Sequence, residues 1–240
     1  MSFWSIFRGS GLWRLLKRVS LLRSGYYLAI ELRETWREAH NSDIEAIEGD
    51  FKGTIDPWNY ETSSMERERF TKQTELLDAV RGDRVFTSGL EIGCAEGLYT
   101  EVIAARCKTL QVLDFSPTAL ERTQRRREWP DAVRFDTFDV RNDRIPGTYD
   151  LIVIAGVLEY FSRPSTFYKV RANLCAALRS GGIMLLETTR VNPVVEDAWW
   201  SRFLIRGKWI NSFVSEGPGL TLISSASTED YVISIFRKSS

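Results

Sequence analysis

The sequence predicts an α/β protein whose mostly parallel sheet carries helices on both faces. From about residue 84 the hydrophobic pattern alternates between short strands and helices, an order that generates parallel strands with covering helices. A continuous apolar run at residues 151–155 is typical of a strand that is buried on both faces. Two further strands follow near the C-terminus, where they predict an antiparallel hairpin at the sheet edge.

The predicted elements follow one another without a long interruption. Strands are predicted at residues 85–92, 109–113, 133–138, 151–155, 183–187, 220–223 and 231–236, which gives a seven-stranded sheet. Helices are predicted at residues 98–106, from Ser116 with Pro117 in the first helical position, and at residues 166–178. The last of these is expected to end at Ser180-Gly181-Gly182.

An N-terminal helical extension, residues 1–55, is predicted to precede the main domain at residues 56–240. The glycines between 49 and 53 indicate a break in the helical pattern. Asp56 precedes a proline and is therefore expected to be extended or in a turn. Ser63 and Glu66 have the spacing of a capping box, which predicts a helix that ends at Gly82.

The overall composition excludes several function classes. The chain has 32 basic and 32 acidic residues, so no global field attracts nucleic acid and we expect no such partner. Its three cysteines form no CxxC pair, which favours a reducing, cytoplasmic setting over a disulfide framework or a zinc site. The single histidine, His40, excludes a His-rich metal site. Its polar neighbours favour a solvated side chain over a catalytic base.

The first 22 residues place apolar side chains at helical spacing with basic residues between them. Leu12, Leu15, Leu16 and Val19 recur on one stripe, and the basic residues include Arg14, Lys17 and Arg18. No apolar run approaches the ~18 residues of a membrane span. Two interpretations stay open. The helix packs its stripe against the domain, or it makes a peripheral contact with an anionic membrane surface.

A glycine-containing turn links the first predicted strand to the helix that follows it. The turn runs from Glu91 to Gly97, and its glycines, Gly93 and Gly97, allow a tight bend and the close approach of a ligand. The free N–H groups of the next helix suit an anionic ligand group. Position 95 is alanine, whereas a nicotinamide dinucleotide site normally has the middle glycine of GxGxxG, and this disfavours that site.

Acidic residues end the next two predicted strands. Asp114 ends the second strand, and Asp139 follows the third between Phe138 and Val140. The carboxyl ends of neighbouring parallel strands meet in one crevice, where open α/β sheets bind their ligands. Asp114 is therefore placed to accept hydrogen bonds from ribose hydroxyls, and Asp139 to meet a base edge between apolar walls.

These motifs resemble the class I S-adenosylmethionine (SAM)-dependent methyltransferase superfamily, which has a Rossmann-like fold. The resemblance covers about residues 84–237, including a fourth-strand segment at 149–160 and a fifth-strand segment at 180–185. Asp56-Pro57-Trp58, followed by Glu66, Arg67 and Phe70, is similar to the narrower nodulation protein S (NodS) group. Members of that group N-methylate an amino sugar of an oligosaccharide.

The resemblance implies SAM as the cofactor. By that resemblance Glu91 would organise the loop around the amino-acid part of SAM, Asp114 would hold the ribose and Asp139 the adenine amine. Trp58 or Tyr60 would cover the cofactor. The cofactor-binding residues implied in this way are Trp58, Glu91, Gly93, Cys94, Ala95, Gly97, Asp114, Phe115, Asp139, Val140 and Ala155.

The implied activity is N- or O-methylation of a small molecule or saccharide, but the fourth-strand end departs from the NodS group. Gly156 stands where that group has an acid, and Glu159 stands where an aromatic residue is usual. Glu159 and Tyr160 are the candidate catalytic residues, and the alternative is that they only begin the following loop. A second hypothesis for the chain is a catalytically inactive SAM-binding scaffold or partner subunit.

Two further clusters keep two interpretations each. Arg125, Arg126 and Arg127 form either a solvated helix end or a contact for an anionic substrate, since helix C-termini favour cations. Trp199, Trp200 and Trp209, with basic residues between them, form either the wall of a substrate site or a packed lid.

Overall fold

A computed structural model of the chain describes residues 43–161, 163–189, 207–228 and 230–239, together with residues 25, 28, 29 and 32. The predicted amphipathic helix, His40, the Trp199–Trp200 pair and the side chain of Trp209 lie outside the described residues. Within the described residues, no helix has the length and apolar character needed to cross a membrane.

One seven-stranded sheet organises the described part of the chain. Its strands are β1 (Phe86–Ile92), β2 (Cys107–Asp114), β3 (Val133–Thr137), β4 (Tyr149–Ala155), β5 (Leu178–Thr189), β6 (Leu220–Ser227) and β7 (Tyr231–Lys238). Their spatial order is β3-β2-β1-β4-β5-β7-β6. The pairs among β1 to β5 are parallel, and β7 is antiparallel to both β5 and β6. The predicted fold class, including the terminal hairpin, is confirmed.

Helices cover both faces of the sheet. They are α1 (Asp43–Gly53), α2 (Ser64–Arg81), α3 (Leu98–Ala104), α4 (Pro117–Arg125), α5 (Pro164–Ala177) and α6 (Gly207–Ser215), with a 3-10 turn at Leu158–Tyr160. Leu77 of α2, Ile103 of α3 and Leu120 of α4 belong to one apolar layer. Phe167 of α5 and Phe213 of α6 belong to the other, so that the sheet is enclosed between two cores.

The structure corrects two predicted helix boundaries. The helix expected to end at Ser180-Gly181-Gly182 ends at Ala177, because Leu178 is already extended and pairs with Tyr149 as the first residue of β5. The expected break at residues 49–53 comes at its second glycine, since α1 continues through Gly49 and ends at Gly53. Phe51 lies between them and is almost fully buried, and its burial outweighs the ~1 kcal/mol cost of each helical glycine.

Half of the predicted capping box forms at the start of α2. The Ser63 side chain accepts a hydrogen bond from the backbone N–H of Glu66 at 3.3 Å, and Gly82 follows the last residue of the helix as predicted. The reciprocal half is absent among the described contacts, because the Ser63 N–H donates to the carbonyl of Asn59. The Glu66 side chain instead pairs with Arg69 inside the protein.

We expect Ser63→Ala to lower the free energy of unfolding by about 1 kcal/mol, because one N–H of the first helical turn loses its acceptor. Urea denaturation followed by circular dichroism measures this change. Ser64→Ala, one residue further along at an exposed position, is the matched control and should change stability much less. Equal losses in the two variants would contradict the capping role.

Candidate cofactor site

A cavity opens at the carboxyl ends of β1, β2 and β4. β1 and β4 are neighbours in the sheet, and the strands that follow each of them along the chain lie on opposite sides of this pair. Parallel sheets bind ligands at this position. We call it the main cavity, and it encloses roughly 780 Å³ of empty space that is open to solvent. It is lined by Ile47, Phe51, Trp58, Tyr60, Ile92, Gly93, Ala95, Asp114, Phe115, Phe138, Asp139, Val140, Arg141, Ala155, Gly156, Val157, Tyr160 and Phe161.

A second, smaller cavity adjoins the main one on the side of α2 and α3. We call it the side cavity. It is lined by Tyr60, Arg69, Phe70, Glu91, Gly93, Cys94, Ala95, Glu96, Leu98, Tyr99, Val153 and Ala155. Both cavities are lined by Tyr60, Gly93, Ala95 and Ala155, so the turn after β1 contributes to the walls of both.

Most of the site residues predicted from the sequence meet at these two cavities. The main cavity gathers Trp58, Gly93, Ala95, Asp114, Phe115, Asp139, Val140, Ala155 and Tyr160. Glu91 and Cys94 line the side cavity. Gly97 and Glu159 line neither cavity. The ligand contacts of all these residues stay predictions.

Gly97 has a structural task at the start of α3. Its φ of 79° is left-handed, and a Cβ there would lie 2.6 Å from Cγ2 of Thr123. Glu159 is buried behind the cavity wall, where its Oε1 accepts hydrogen bonds from the backbone N–H and the hydroxyl of Thr189, both at 3.1 Å. Neither residue lies in position to touch a ligand in the two cavities as they are shaped here.

The turn after β1 is tightly packed against the turn after β4. Gly93 has a φ of 84°, and its N–H donates to the carbonyl of Leu113 at 2.8 Å. A Cβ at this position would collide with Cγ2 of Val157. Ala95 also has a positive φ, of 48°, which is uncommon for a residue with a side chain. The turn therefore presents backbone rather than side chains to both cavities.

Asp114 holds this turn in place. Its Oδ2 accepts the N–H groups of Cys94 at 2.9 Å and Ala95 at 3.3 Å, and its Oδ1 accepts the N–H of Ser116 at 2.9 Å. Burial raises the pKa of Asp114, and the three N–H groups oppose that rise. A carboxylate offers about four acceptor sites, so three are occupied and about one remains for a ligand hydroxyl.

Asp139 also accepts hydrogen bonds within the protein, and its main donor is a residue that the sequence did not indicate. Arg141 lines the main cavity and donates to both oxygens of Asp139, at 2.9 and 2.8 Å. Asn142 donates to Oδ2 as well, at 2.8 Å. A base amine that approaches Asp139 would therefore share the carboxylate with Arg141.

The first described helix contributes to the main cavity, which the sequence did not indicate. Ile47 and Phe51 of α1 line it, and the ring of Phe51 meets that of Trp58 edge to face at 4.8 Å. Arg122 fixes the end of this segment by donating to the carbonyls of Phe51 and Thr54. The apolar side chain of Phe51 could have indicated a buried helix, but the glycines on either side of it predict a break in the helix.

Glu48 attaches the same helix to the start of α4. Its carboxylate accepts hydrogen bonds from the hydroxyls of Ser116 and Thr118, which lower its pKa against the effect of burial. Ser116 in turn caps α4 by accepting the N–H of Ala119 at 3.0 Å. Residues 43–60 therefore form a fixed cover over the cavity.

A buried ion cluster borders the side cavity, and the sequence analysis missed its two central residues. The Arg69 guanidinium pairs with Glu66 through Nε and Nη2 and with Glu187 through Nη1. Glu187 is fully buried at the end of β5, in register with Ala155. Burial raises the pKa of Glu187 to about 7, with the Arg69 charge opposing that rise.

Glu91 also lines the side cavity. It is 3% exposed, and its Oε2 has no hydrogen-bond partner among the described residues. Burial raises the pKa of Glu91 to about 8, and the nearby Asp114 charge adds to the rise. The side cavity is therefore lined by a guanidinium and by a carboxyl group whose pKa of about 8 keeps it protonated at neutral pH.

Comparison with known proteins identifies the family. The family model described as Nodulation protein S (NodS) matches residues 40–203. The chain belongs to the NodS family. It is 34% identical to nodulation protein S of Rhizobium tropici over 135 residues, which are 56% of each protein, and 33% identical to that of Bradyrhizobium diazoefficiens over 56% of this chain and 63% of the relative. The chain thus matches little more than half the length of these curated relatives.

Solved structures agree with this assignment. The N-methyltransferase NodS from Bradyrhizobium japonicum WM9, in complex with S-adenosyl-L-homocysteine (SAH), is 25% identical, with a TM-score of 0.70 over 82% of this chain and 99% of that one. Among the curated sequences, a malonyl-[acyl-carrier protein] O-methyltransferase from Haemophilus ducreyi is 27% identical over 54% of this chain and 51% of its own length. The resemblance drawn from the sequence is confirmed.

We expect Glu91→Gln to flatten the pH dependence of stability. The folded protein keeps the Glu91 proton up to about pH 8, whereas the unfolded carboxyl loses it near its ordinary pKa of 4.5. Between these values the folded state binds more protons, so the free energy of unfolding of the wild type falls as pH rises, by up to about 1.4 kcal/mol per pH unit.

Urea unfolding between pH 5 and 9 measures this dependence. Glu75→Gln, at an exposed position on α2, is the control and should keep the wild-type slope. A slope that is the same in Glu91→Gln and in the wild type would show that Glu91 is ionised in the folded protein at neutral pH.

Proposed function

We propose that this chain is a SAM-dependent methyltransferase whose acceptor is an amine of a small molecule or saccharide. The observation that carries the proposal is the pair of cavities joined at the Gly93–Ala95 turn. We place the nucleoside of SAM in the main cavity and its amino-acid group in the side cavity. The SAH bound by the Bradyrhizobium japonicum enzyme supports the same cofactor.

The residues of the main cavity suit the nucleoside. Phe138 and Val140 supply apolar walls, and Trp58 covers the cavity from the side of α1. The remaining acceptor site of Asp114 and the shared carboxylate of Asp139 are available for a ribose hydroxyl and the adenine amine. A Cβ at Gly93 would fill the close approach between the two cavities.

The side cavity suits a group that carries both an ammonium and a carboxylate. The unpartnered Oε2 of Glu91 is placed to accept from the ammonium. Arg69 has five N–H donors. Its contacts with Glu66 and Glu187 use three of them, and two stay open within the described contacts for the carboxylate. A guanidinium pairs well with a planar carboxylate.

SAM supplies an activated methyl group on a positively charged sulfur. The chain itself positions the methyl donor and supplies an electrostatic field around it. The Gly93–Ala95 turn and the cover formed by residues 43–60 fix the donor, and alignment of donor and acceptor can contribute up to ~7–11 kcal/mol. The Asp114 carboxylate lies against the Gly93–Ala95 turn, where its negative charge favours a sulfonium.

The groups near the end of β4 favour an amine acceptor over a hydroxyl. Tyr160 lines the main cavity, and burial raises its pKa, so that it can donate a hydrogen bond but not act as a base at neutral pH. Gly156 brings no side chain, and Glu159 is turned toward Thr189. A hydroxyl needs a base to remove its proton, whereas an amine that arrives neutral needs none. Tyr160, rather than Glu159, is the residue we place against the acceptor.

Catalysis is distinguished from an inactive SAM-binding role by turnover. Purified protein supplied with SAM and glucosamine should accumulate SAH faster than protein supplied with SAM and glucose. Tight SAH binding without acceptor-dependent turnover across amine and hydroxyl acceptors would favour the scaffold hypothesis, which Gly156 suggests.

We expect Gly93→Ala to weaken SAH binding at least tenfold, measured by isothermal titration calorimetry. The added Cβ meets Val157 and pushes apart the turn that joins the two cavities. Gly147→Ala is the matched control, because Gly147 has a similar φ of 77° and therefore similar backbone strain, yet it lies outside both cavities. Wild-type SAH affinity in a folded Gly93→Ala variant would remove the turn from the cofactor site.

A further inference from the structure

Two carboxylates already share the guanidinium of Arg69, which lines the side cavity. Glu66 and Arg69 come from the same face of α2, and Glu187 comes from β5, which is 118 residues later in the chain. All three are at least nine-tenths buried. A buried guanidinium balances one carboxylate, so this trio has a net charge of −1 when every group is ionised.

Of these three residues, Glu187 has a carboxylate oxygen that can accept a proton. Its Oε2 pairs with Arg69, and its Oε1 is buried with no hydrogen-bond partner among the described residues. The charged groups that face it are Glu66 and Arg69 from α2 and Glu159 from the 3-10 turn. Two of these are carboxyl groups, which disfavour a further negative charge at Glu187.

A cofactor carboxylate at Arg69 would make this imbalance larger. This step rests on the proposed function, in which the amino-acid part of SAM occupies the side cavity. Three carboxylates would then surround one buried guanidinium, so these four groups would have a net charge of −2, while the cofactor's ammonium is placed at Glu91. Charge of one sign in a buried site is costly, and protonation of one carboxylate is the usual way that proteins relieve it.

We propose that Glu187 takes up a proton when the cofactor's carboxylate binds Arg69, and that it thereby couples cofactor affinity to pH. A proton from solvent adds to Oε1 of the Glu187 carboxylate and gives a neutral carboxyl group, with no electron transfer. Oε2 stays against Arg69, whose free N–H groups then serve the cofactor. Glu187 acts through Arg69 and is therefore a positioning residue.

Glu91 should respond in the opposite direction, and this makes the inference testable. In the empty site Glu91 keeps its proton near neutral pH, because burial raises its pKa to about 8. The cofactor's ammonium favours the ionised form, so Glu91 releases a proton on binding. The wild type therefore shows the difference between uptake at Glu187 and release at Glu91.

The experiment measures SAH binding by isothermal titration calorimetry at pH 7.5, in phosphate and in Tris buffers. The difference in apparent enthalpy between the buffers gives the net number of protons taken up. Because a carboxyl group with a pKa of about 7 is already about one-quarter protonated at pH 7.5, we expect Glu187→Gln to lower this number by up to about three-quarters of a proton. Glu91→Gln should raise it. Glu159→Gln should reduce the uptake only in part, because it removes one of the two neighbouring carboxyl charges but leaves the proton site on Glu187.

The outcomes separate the two proposals. A proton number in Glu187→Gln equal to that of the wild type overturns the inference, as does loss of uptake in Glu159→Gln with uptake retained in Glu187→Gln. Absence of SAH binding by the wild type contradicts the proposed function itself. Binding without a Glu187-dependent proton contradicts only the inference.

A second measurement avoids any change at Glu187, whose replacement could disturb the buried ion pair. In the Glu91→Gln protein the release at Glu91 is removed. The infrared difference spectrum on SAH binding should then show the gain of one protonated carboxyl band. In the same protein SAH affinity should fall up to tenfold for each pH unit above about 7. No carboxyl gain, or a flat affinity profile, would overturn the inference.

Discussion

The carboxylate of Asp114 is the contact on which both cavities depend. It lies at the end of β2 and binds backbone N–H groups on either side, from the turn after β1 and from the start of α4. Buried N–H groups without an acceptor cost ~1–3 kcal/mol each, so these bonds stabilise the turn strongly. They also keep Ala95 at its positive φ. Since the turn forms a wall of each cavity, the site's shape follows from this one side chain.

The cover over the main cavity depends on long-range polar contacts rather than on a motif. Glu48 joins α1 to the hydroxyls of Ser116 and Thr118, and Arg122 donates to backbone carbonyls in the following segment. Arg122 also pairs with Glu96 at 2.8 Å, and Glu96 accepts the N–H of Asp56 at 3.1 Å. The segment before β1 therefore belongs to the site in space, although the sequence separates it from the sheet.

Local rules in the sequence predicted what local interactions determine. The caps at Ser63 and Ser116 and the strand ends at Asp114 could be identified because a few neighbouring residues fix them. The helix end at Ala177 could not, since pairing of Leu178 with Tyr149 on β4 decides it. The continuation of α1 through Gly49 likewise depends on the burial of Phe51.

The ion cluster shows the limit of periodicity most clearly. Glu66, Arg69 and Gln73 follow a helical spacing that ends at Leu77, and a polar stripe of this kind usually faces solvent. In the fold it is the buried face of α2, because Glu187 arrives from β5 to meet it. Residues so far apart in sequence carry no local signal of their pairing.

The burial of these charges argues for a ligand rather than for stability. Removing an ion from water costs several kcal/mol, and apolar residues of similar size usually stabilise a core at least as well as a buried ion pair. The cluster nevertheless places Arg69 at the side cavity, which Glu91 also lines. A ligand with an ammonium and a carboxylate would give each of these groups an opposite charge. The site thus keeps charges that the fold alone does not need.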